Sequence, residues 1–214
     1  EIIRIMRDFL KKKVLGNLPR TLRLQVSKYY YDRQLKKWIK DGKPVPPPHR
    51  VKQLAIQEYQ KKYGIHVFIE TGTFMGDMVD AQLDHFDKLI SIELSPELHE
   101  KAVRRFRKHE KVEIVKGDSG KLMGSLVSGL ENPALFWLDG HYSGGVTAQG
   151  ELDCPIYNEL NGIFDNGKEL DHVILIDDAR CFNGTNDYPT VSELKKYFAS
   201  KDLGYEVKVK DDII

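Results

Sequence analysis

The sequence contains only two cysteines and no long hydrophobic run. Cys154 and Cys181 match no metal-binding spacing such as CxxC, which argues against the common zinc sites and against a disulfide framework. Such sparse cysteine use favours free thiols in a reducing, cytoplasmic setting. No apolar stretch approaches the roughly 20 residues of a membrane-spanning helix. No secretory signal is visible, although the chain begins at Glu1 rather than at a methionine.

The charge of the chain is small overall but unevenly distributed. The 214 residues, 41% hydrophobic and 30% charged, carry a formal net charge of +1. Residues 1–63 hold 17 Lys or Arg against 5 Asp or Glu, whereas residues 64–214 hold 16 against 27. The composition therefore predicts a boundary near Gly64, between a basic arm and an acidic domain.

Residues 1–63 are expected to form a basic helical arm. Apolar side chains between Ile2 and Val14 fall on one helical face, with most lysines and arginines elsewhere. Such a helix docks either on its own domain or on a partner chain, as in a homo-oligomer, or it lies peripherally on an anionic membrane surface. Nucleic acid is the least favoured partner. A stiff, proline-rich connection at 44–48 and a helix at 50–63 complete the arm.

From residue 64 onward, short β-branched apolar runs alternate with helical patterns. The runs predict strands at 66–71, 89–93, 112–118, 134–140 and 172–179. The helical patterns lie near 77–86, 96–109, 119–130, 154–166 and 190–201. This alternation predicts an α/β fold, a Rossmann-like, doubly wound, mostly parallel sheet with helices on both faces, preceded by an N-terminal basic helical extension. Residues 204–210 are the candidate for a sixth strand.

Each predicted strand delivers an acidic residue to one edge of the sheet. The acids at or just after the strand ends are Glu70, Glu93, Asp118, Asp139 and the pair Asp177 and Asp178. Ligands of parallel α/β sheets bind at the carboxyl ends of the strands. Clustered carboxylates repel unless a positive group joins them. The sequence therefore indicates a cationic ligand, a metal ion, or both at this edge.

The turn after the first strand, Glu70-Thr71-Gly72-Thr73-Phe74-Met75-Gly76, does not suit a dinucleotide. It lacks the full GxGxxG pattern, and Glu70 would repel a pyrophosphate at the helix N-terminus. Glu93, 21 residues after Gly72, is well spaced for a ribose diol. S-adenosylmethionine (SAM) has a ribose and an adenine but no phosphate, and it carries an ammonium and a sulfonium. SAM is therefore the better match.

On these motifs, residues 65–210 resemble the class I SAM-dependent methyltransferases. Their first loop commonly reads acid-x-Gly-x-Gly-x-Gly, and here Phe74 replaces the middle glycine. The resemblance implies that the first loop approaches the methionine part of the cofactor, that Glu93 binds the ribose hydroxyls, and that Asp118 lies beside the adenine. The expected cofactor-binding residues are Glu70, Thr71, Gly72, Thr73, Gly76, Glu93, Asp118 and Ser119.

The second half is similar to metal-dependent O-methyltransferases of the catechol and macrocin (sugar) types. That resemblance implies a Mg²⁺ site formed by Asp139, Asp177 and Asp178, which could bind and acidify acceptor hydroxyls. Asp139 and His141 are the expected catalytic residues, with His141 as general base. Alternatively, Asp177 and Asp178 cap a loop and hold Arg180, Asp139 acts without metal, and His141 is a structural loop residue.

The expected function is methyl transfer from SAM to a hydroxyl of a small molecule or a sugar-containing (glycan) acceptor. One alternative is a metal-free methyltransferase that reaches nucleic acid through the basic arm. The acidic catalytic domain and the lack of an Asn-Pro-Pro-aromatic motif after strand 4 argue against it. Another alternative is a non-catalytic binding protein that uses the same fold.

Overall fold

The computed structural model describes residues 20–140, 154–167 and 169–214, with side chains from residue 29 onward. The amphipathic segment 2–14 and the loop that begins at His141 therefore lie outside the described residues. The chain divides into two compact units, and the division falls between Val51 and Lys52. The compositional boundary near Gly64 stays a prediction.

The first unit contains a long helix, α1 (Arg20–Lys40), and the start of α2 (His49–Tyr63), joined by an irregular proline-rich segment. The indole nitrogen of Trp38 donates a hydrogen bond to the carbonyl oxygen of Pro44 at 2.7 Å. The Lys43 ammonium lies 5.3 Å from the centroid of the same ring. These contacts hold the proline-rich segment against the end of α1.

Within residues 20–140, 154–167 and 169–214, no helix combines the length and the apolar content that a membrane crossing requires.

The second unit is built on a sheet of five parallel strands. They are β1 (Val67–Thr71), β2 (Lys88–Glu93), β3 (Val112–Lys116), β4 (Ala134–Leu138) and β5 (Val173–Ile176), in the spatial order β3-β2-β1-β4-β5. β1 lies at the centre, where Glu70 is opposite Ser91 of β2 and Trp137 of β4. Because all five strands are parallel, their carboxyl ends meet at one edge of the sheet, as the sequence predicted.

Helices alternate with the strands along the chain. They are α3 (Asp77–Gln82), α4 (Pro96–Phe106), α5 (Ser119–Ser128), α6 (Ile156–Asn166) and α7 (Val191–Lys201), with a short 3₁₀ turn at Ala179–Cys181. Ser95 caps α4 by accepting from the Leu98 amide, and Thr190 and Glu193 form a reciprocal capping box at α7. The helix starts read from the sequence are therefore confirmed.

The sheet separates two apolar cores, which confirms the doubly wound architecture. One core joins Phe68, Leu135 and Trp137 of the sheet to side chains of α2, α3 and α4, including Ile56, Val79 and Phe106. The other joins Ile69, Phe136 and Leu138 to side chains of α5, α6 and α7, including Met123, Leu160 and Phe198. Alternate residues of one strand enter opposite cores, because successive side chains of a strand point to opposite faces.

The edge of the sheet beside β5 differs from the expectation of a sixth strand at 204–210. In the described chain this segment forms no strand, and only Lys210 makes an isolated antiparallel bridge, with Ile213. Ile214 instead exchanges both backbone hydrogen bonds with Ile176, at 2.9 and 3.0 Å. Reciprocal bonds between two residues define an antiparallel pair. The chain therefore reverses at Asp211 and Asp212 and places Ile214 directly against β5.

Candidate functional site at the carboxyl edge of the sheet

The loop after β1 is held close to the end of β4. Gly72 has φ +83°, and a Cβ atom there would lie 2.5 Å from the carbonyl oxygen of Asp139. Gly76 has φ +75°, and its Cβ would lie 2.6 Å from the Phe106 ring. Phe74, at the position where the resembling family has a glycine, itself adopts φ +48° and is 47% exposed. The loop thus keeps its left-handed turn without the middle glycine.

Glu70 lies beneath this loop rather than open at its mouth. Its side chain is buried, and the Ser91 hydroxyl donates to its Oε2 atom at 2.5 Å. The Thr73 hydroxyl lies 2.6 Å from the same Ser91 oxygen. Burial raises the pKa of Glu70 to about 8, which favours the neutral form of this carboxyl group. The role of Glu70 beside the methionine part of the cofactor stays a prediction.

Glu93 connects the end of β2 to the loop after β1. Its Oε2 atom accepts from the Phe74 amide at 2.8 Å, and its Oε1 atom accepts from the Ser95 amide at 2.8 Å. Each carboxylate oxygen has two lone pairs, so both can still accept a bond from a ligand hydroxyl. The ribose-binding role of Glu93 stays a prediction, now with its carboxylate placed beside the loop.

Asp118 and Ser119 begin α5, where Asp118 caps the helix by accepting from the Gly120 amide at 2.9 Å. Ser119 donates to Oε1 of Glu159 at 2.5 Å, and both residues are buried. A Cβ atom on Gly140 would lie 2.9 Å from the same Glu159 oxygen. Carboxylate, hydroxyl and glycine therefore meet where β3, β4 and α6 come together.

Glu159 is a site residue that the sequence analysis missed. It lies in the first turn of α6, on the face that also buries Ile156, Leu160 and Ile163. A glutamate at a core-facing position of an amphipathic helix was the available signal.

Asp139 stands between β1 and β5 at this edge. Its backbone amide donates to the Thr71 hydroxyl at 3.0 Å, and the Asp177 amide donates to the carbonyl of the preceding Leu138 at 3.0 Å. The ends of β1, β4 and β5 are thereby joined. His141, expected two residues further on, lies outside the described residues, so its role as general base stays a prediction.

Asp177 and Asp178 are held by a lysine of α2. Lys52 Nζ lies 2.6 Å from Asp177 Oδ2 and 2.9 Å from Asp178 Oδ1. Burial lowers the pKa of Lys52, but the two carboxylates raise it by more, so this side chain stays a cation. Burial raises the pKa of Asp177 to about 6, against the opposing effect of Lys52.

Arg180 adds a second cation to this group. Its Nη1 atom donates to Asp178 Oδ1 at 2.7 Å and also contacts Asp212 Oδ2, while its backbone amide donates to Asp212 Oδ1 at 2.8 Å. The sequence left open that Asp177 and Asp178 hold Arg180. The structure shows this contact for Asp178.

The residues present do not fit the Mg²⁺ site expected at Asp139, Asp177 and Asp178. In the described part of the chain, no group of three or more His, Cys, Asp and Glu side chains is arranged to hold a metal ion. The Lys52 ammonium lies between the carboxylates of Asp177 and Asp178, where such an ion would need their oxygens. We therefore derive no step through a metal.

Most acids at this edge have partners within the chain itself. Glu93 accepts from backbone amides, Asp118 caps a helix, and Asp177 is paired with Lys52. Clustering of acids at the strand ends therefore does not by itself require a cationic ligand, contrary to the argument made from the sequence.

Tyr188 is a further half-buried side chain near the carboxyl edge of the sheet. Burial, followed by the nearby Cys154 and Cys181 and then by Asp178 and Asp139, raises the pKa of its phenol above the ordinary range. Both cysteines are free thiols, as expected. The phenol thus lies near the aspartates that follow β4 and β5.

Solved structures with this fold include methyltransferases. A Staphylococcus aureus protein proposed to be a caffeoyl-CoA O-methyltransferase is similar with a TM-score of 0.53 and 11% identity, over 91% of this chain and 96% of that protein. TomG of Streptomyces achromogenes, an O-methyltransferase involved in tomaymycin synthesis and solved with SAM, gives 0.51 and 12%, over 79% and 76%.

The methyltransferase PaMTH1 of Podospora anserina, solved with SAH bound, has a TM-score of 0.48 at 17% identity over 71% of this chain. The chain spans 64% of that protein, which is less than two thirds of its length. No family model matches the chain, and no curated protein sequence matches it. The similarities to the Staphylococcus aureus protein and to TomG show that the chain has a Rossmann-like fold that these methyltransferases share.

Proposed function

We propose that the protein is a SAM-dependent methyltransferase that methylates a hydroxyl group of a small molecule or a sugar-containing acceptor. The observation that carries the proposal is the position of Glu93. Its carboxylate stands at the end of β2 and is hydrogen-bonded to the loop after β1, within a fold that methyltransferases share. An acid at this place suits a ribose diol.

The backbone of the first loop favours a ligand without phosphate. The amides of Gly72 and Thr73 both donate to the carbonyl of Ile92, at 3.0 and 3.3 Å, and the Phe74 amide donates to Glu93. Phosphate-binding loops instead turn successive amides toward the ligand. Because three successive amides are engaged within the protein, SAM fits this loop better than a dinucleotide does.

The reaction needs alignment and one proton acceptor. SAM supplies an electrophilic methyl group, which bonds to the acceptor oxygen as its bond to sulfur breaks and the electron pair stays on sulfur. We infer that Asp139, whose backbone amide donates to the Thr71 hydroxyl, orients the acceptor hydroxyl. The hydroxyl proton passes to His141, which the sequence places two residues after Asp139.

Calorimetric titration with SAM and SAH tests the cofactor site. We expect the parent protein to bind both ligands, and Glu93→Ala to bind them about 10- to 100-fold more weakly, the range for losing hydrogen bonds to a buried partner. Glu113→Ala is the matched control, because Glu113 is an exposed acid near the opposite end of the sheet, paired only loosely with Lys88 at 3.9 Å. A parent protein that binds neither ligand would refute the proposal.

Transfer of labelled methyl groups tests the acceptor class. Panels of catechols, glycosides and total RNA are compared, and we expect label in a hydroxylated small molecule or glycoside. His141→Ala should retain SAM binding and lose transfer. Label in RNA would instead support the nucleic-acid alternative, and tight SAM binding without transfer to any acceptor would support a binding protein.

A further inference from the structure

The structure shows a partly buried cation, Lys52, at the place where the resemblance implied a metal. Its side chain is 14% exposed, and the side chains of Asp177 and Asp178 are 2% and 12% exposed. Lys52 enters from the first turn of α2, and the two aspartates follow β5. The contacts therefore join segments more than a hundred positions apart in the chain.

The lysine and a divalent ion would exclude each other at these oxygens. Magnesium binds oxygens at about 2.0–2.1 Å in a near-ideal octahedron, whereas the ammonium already contacts one oxygen of each carboxylate at 2.6 and 2.9 Å. A metal bound there would lie next to the ammonium, with repulsion between the two positive charges. Arg180, also on Asp178 Oδ1, increases that repulsion.

We propose that Lys52 is a built-in cation that replaces a divalent metal ion at this edge and holds Asp177 and Asp178 in position. Lys52 is a positioning residue, since it acts through the two carboxylates. Two consequences follow. The parent protein does not bind a divalent metal at Asp177 and Asp178, and loss of the lysine charge destabilises the protein, because it leaves the buried Asp177 carboxylate without its partner. A third consequence, methyl transfer that persists after chelation, rests on the proposed function.

Binding of Mn²⁺, followed by calorimetry and electron paramagnetic resonance, tests the first consequence, and melting curves test the second. Neither measurement is an activity assay. The variants are Lys52→Met, Lys52→Arg and the double variant Lys52→Met with Asp177→Asn. Lys101→Met is the control, because Lys101 pairs with Glu97 on an exposed helix surface at 2.7 Å. Circular dichroism and melting curves report whether each variant folds.

The parent, Lys52→Arg and Lys101→Met should show no saturable Mn²⁺ binding. Lys52→Met should melt at a lower temperature, because the buried Asp177 loses its partner. The double variant should recover part of that stability, because Asp177→Asn leaves no unpaired charge at that position. If Lys52→Met does not fold, folding of the double variant supports the proposal equally.

Two results would overturn it. One is saturable Mn²⁺ binding by the parent that Asp178→Asn abolishes. The other is a Lys52→Met variant that melts at the same temperature as the parent protein. Methyl transfer by the chelated parent is measured separately. If the protein binds SAM but needs a divalent ion for methyl transfer, the proposal that Lys52 replaces the metal ion is wrong. The proposed function would still stand.

Discussion

The hydroxyl of Ser119 donates a hydrogen bond to Glu159 at 2.5 Å, although the two residues are 40 positions apart. The bond joins the first turns of α5 and α6 under Gly140, beside the predicted adenine position. Glu159 is buried and accepts a hydrogen bond from Ser119, which is a predicted cofactor-binding residue. Glu159 therefore holds Ser119 in position. This contact makes Glu159 a test of how the site is built.

Replacement of Glu159 should affect both stability and cofactor binding. Glu159→Ala leaves the buried Ser119 hydroxyl without this acceptor, and we expect a loss of about 1–3 kcal/mol in the free energy of unfolding. SAH binding, measured by calorimetry, should weaken together with it. Glu159→Gln keeps an oxygen that accepts from Ser119, so its losses should be smaller. Equal losses in the two variants would contradict a role for this hydrogen bond.

Gly72 should tolerate no side chain. Gly72→Ala combines a left-handed backbone with a Cβ atom 2.5 Å from the Asp139 carbonyl oxygen, so we expect a loss of more than about 2 kcal/mol and weak SAM binding. Gly64→Ala is the matched control, because Gly64 has φ +62° but no atom within 4 Å of its Cβ position. Its loss should be limited to about 1–2 kcal/mol of backbone strain. Chemical denaturation gives the free energy of unfolding of both variants. The difference between their losses is the effect of the steric clash at Gly72, beyond the backbone strain that both variants share.

Glu70 should make stability depend on pH. The folded-state pKa of about 8 lies above the ordinary value of 4.5, so the folded protein holds a proton that the unfolded chain releases within this range. Its contribution to stability is therefore fully present below about pH 4.5 and is lost as the pH rises through about 8. Glu70→Gln is neutral at every pH, and its melting temperature should fall less between pH 5 and 8. A parallel pH profile in parent and variant would show that Glu70 is charged in the folded protein.

Arg105 should hold the first loop in place. It donates to Asp77 at 2.7 Å and to Asp80 at 3.0 Å, and it also contacts the carbonyl of Met75. Arg105→Ala should weaken SAM binding several-fold with a stability loss of only about 1 kcal/mol, because the ion pairs are partly exposed. Arg104→Ala removes an exposed arginine of the same helix and should leave binding unchanged. The measurement is calorimetry of both variants with SAM.

The sheet and its edge could be predicted from the sequence because their signals are local. Alternating apolar runs and helical patterns gave the strands and helices of the second unit to within a few residues, and Ser95 and Thr190 marked two helix starts. The parallel arrangement then placed Glu70, Glu93 and Asp139 at one edge, since sequence order and handedness leave few alternatives.

The chemistry of the edge could not be predicted in the same way, because it depends on contacts between distant segments. Nothing near Asp177 indicated that Lys52 would pair with it, since the partner comes from the basic segment before β1. Burial, which the sequence does not show, raises the pKa of Glu70. Residues 204–210 do not form the expected sixth strand, and Ile214 pairs with Ile176 of β5 instead.

The two cores lie on opposite faces of the sheet, so substitutions in different cores should have additive effects on stability. Phe86 belongs to one core, and Phe164 and Phe198, whose ring centroids are 5.2 Å apart, belong to the other. The destabilisations caused by Phe86→Leu and Phe164→Leu should therefore add to within about 0.5 kcal/mol, whereas Phe164→Leu and Phe198→Leu should deviate from additivity. Equilibrium denaturation of the single and double variants provides the comparison. Side chains on one face can thus repack without altering the contacts on the other, although both faces contribute to the same free energy of unfolding.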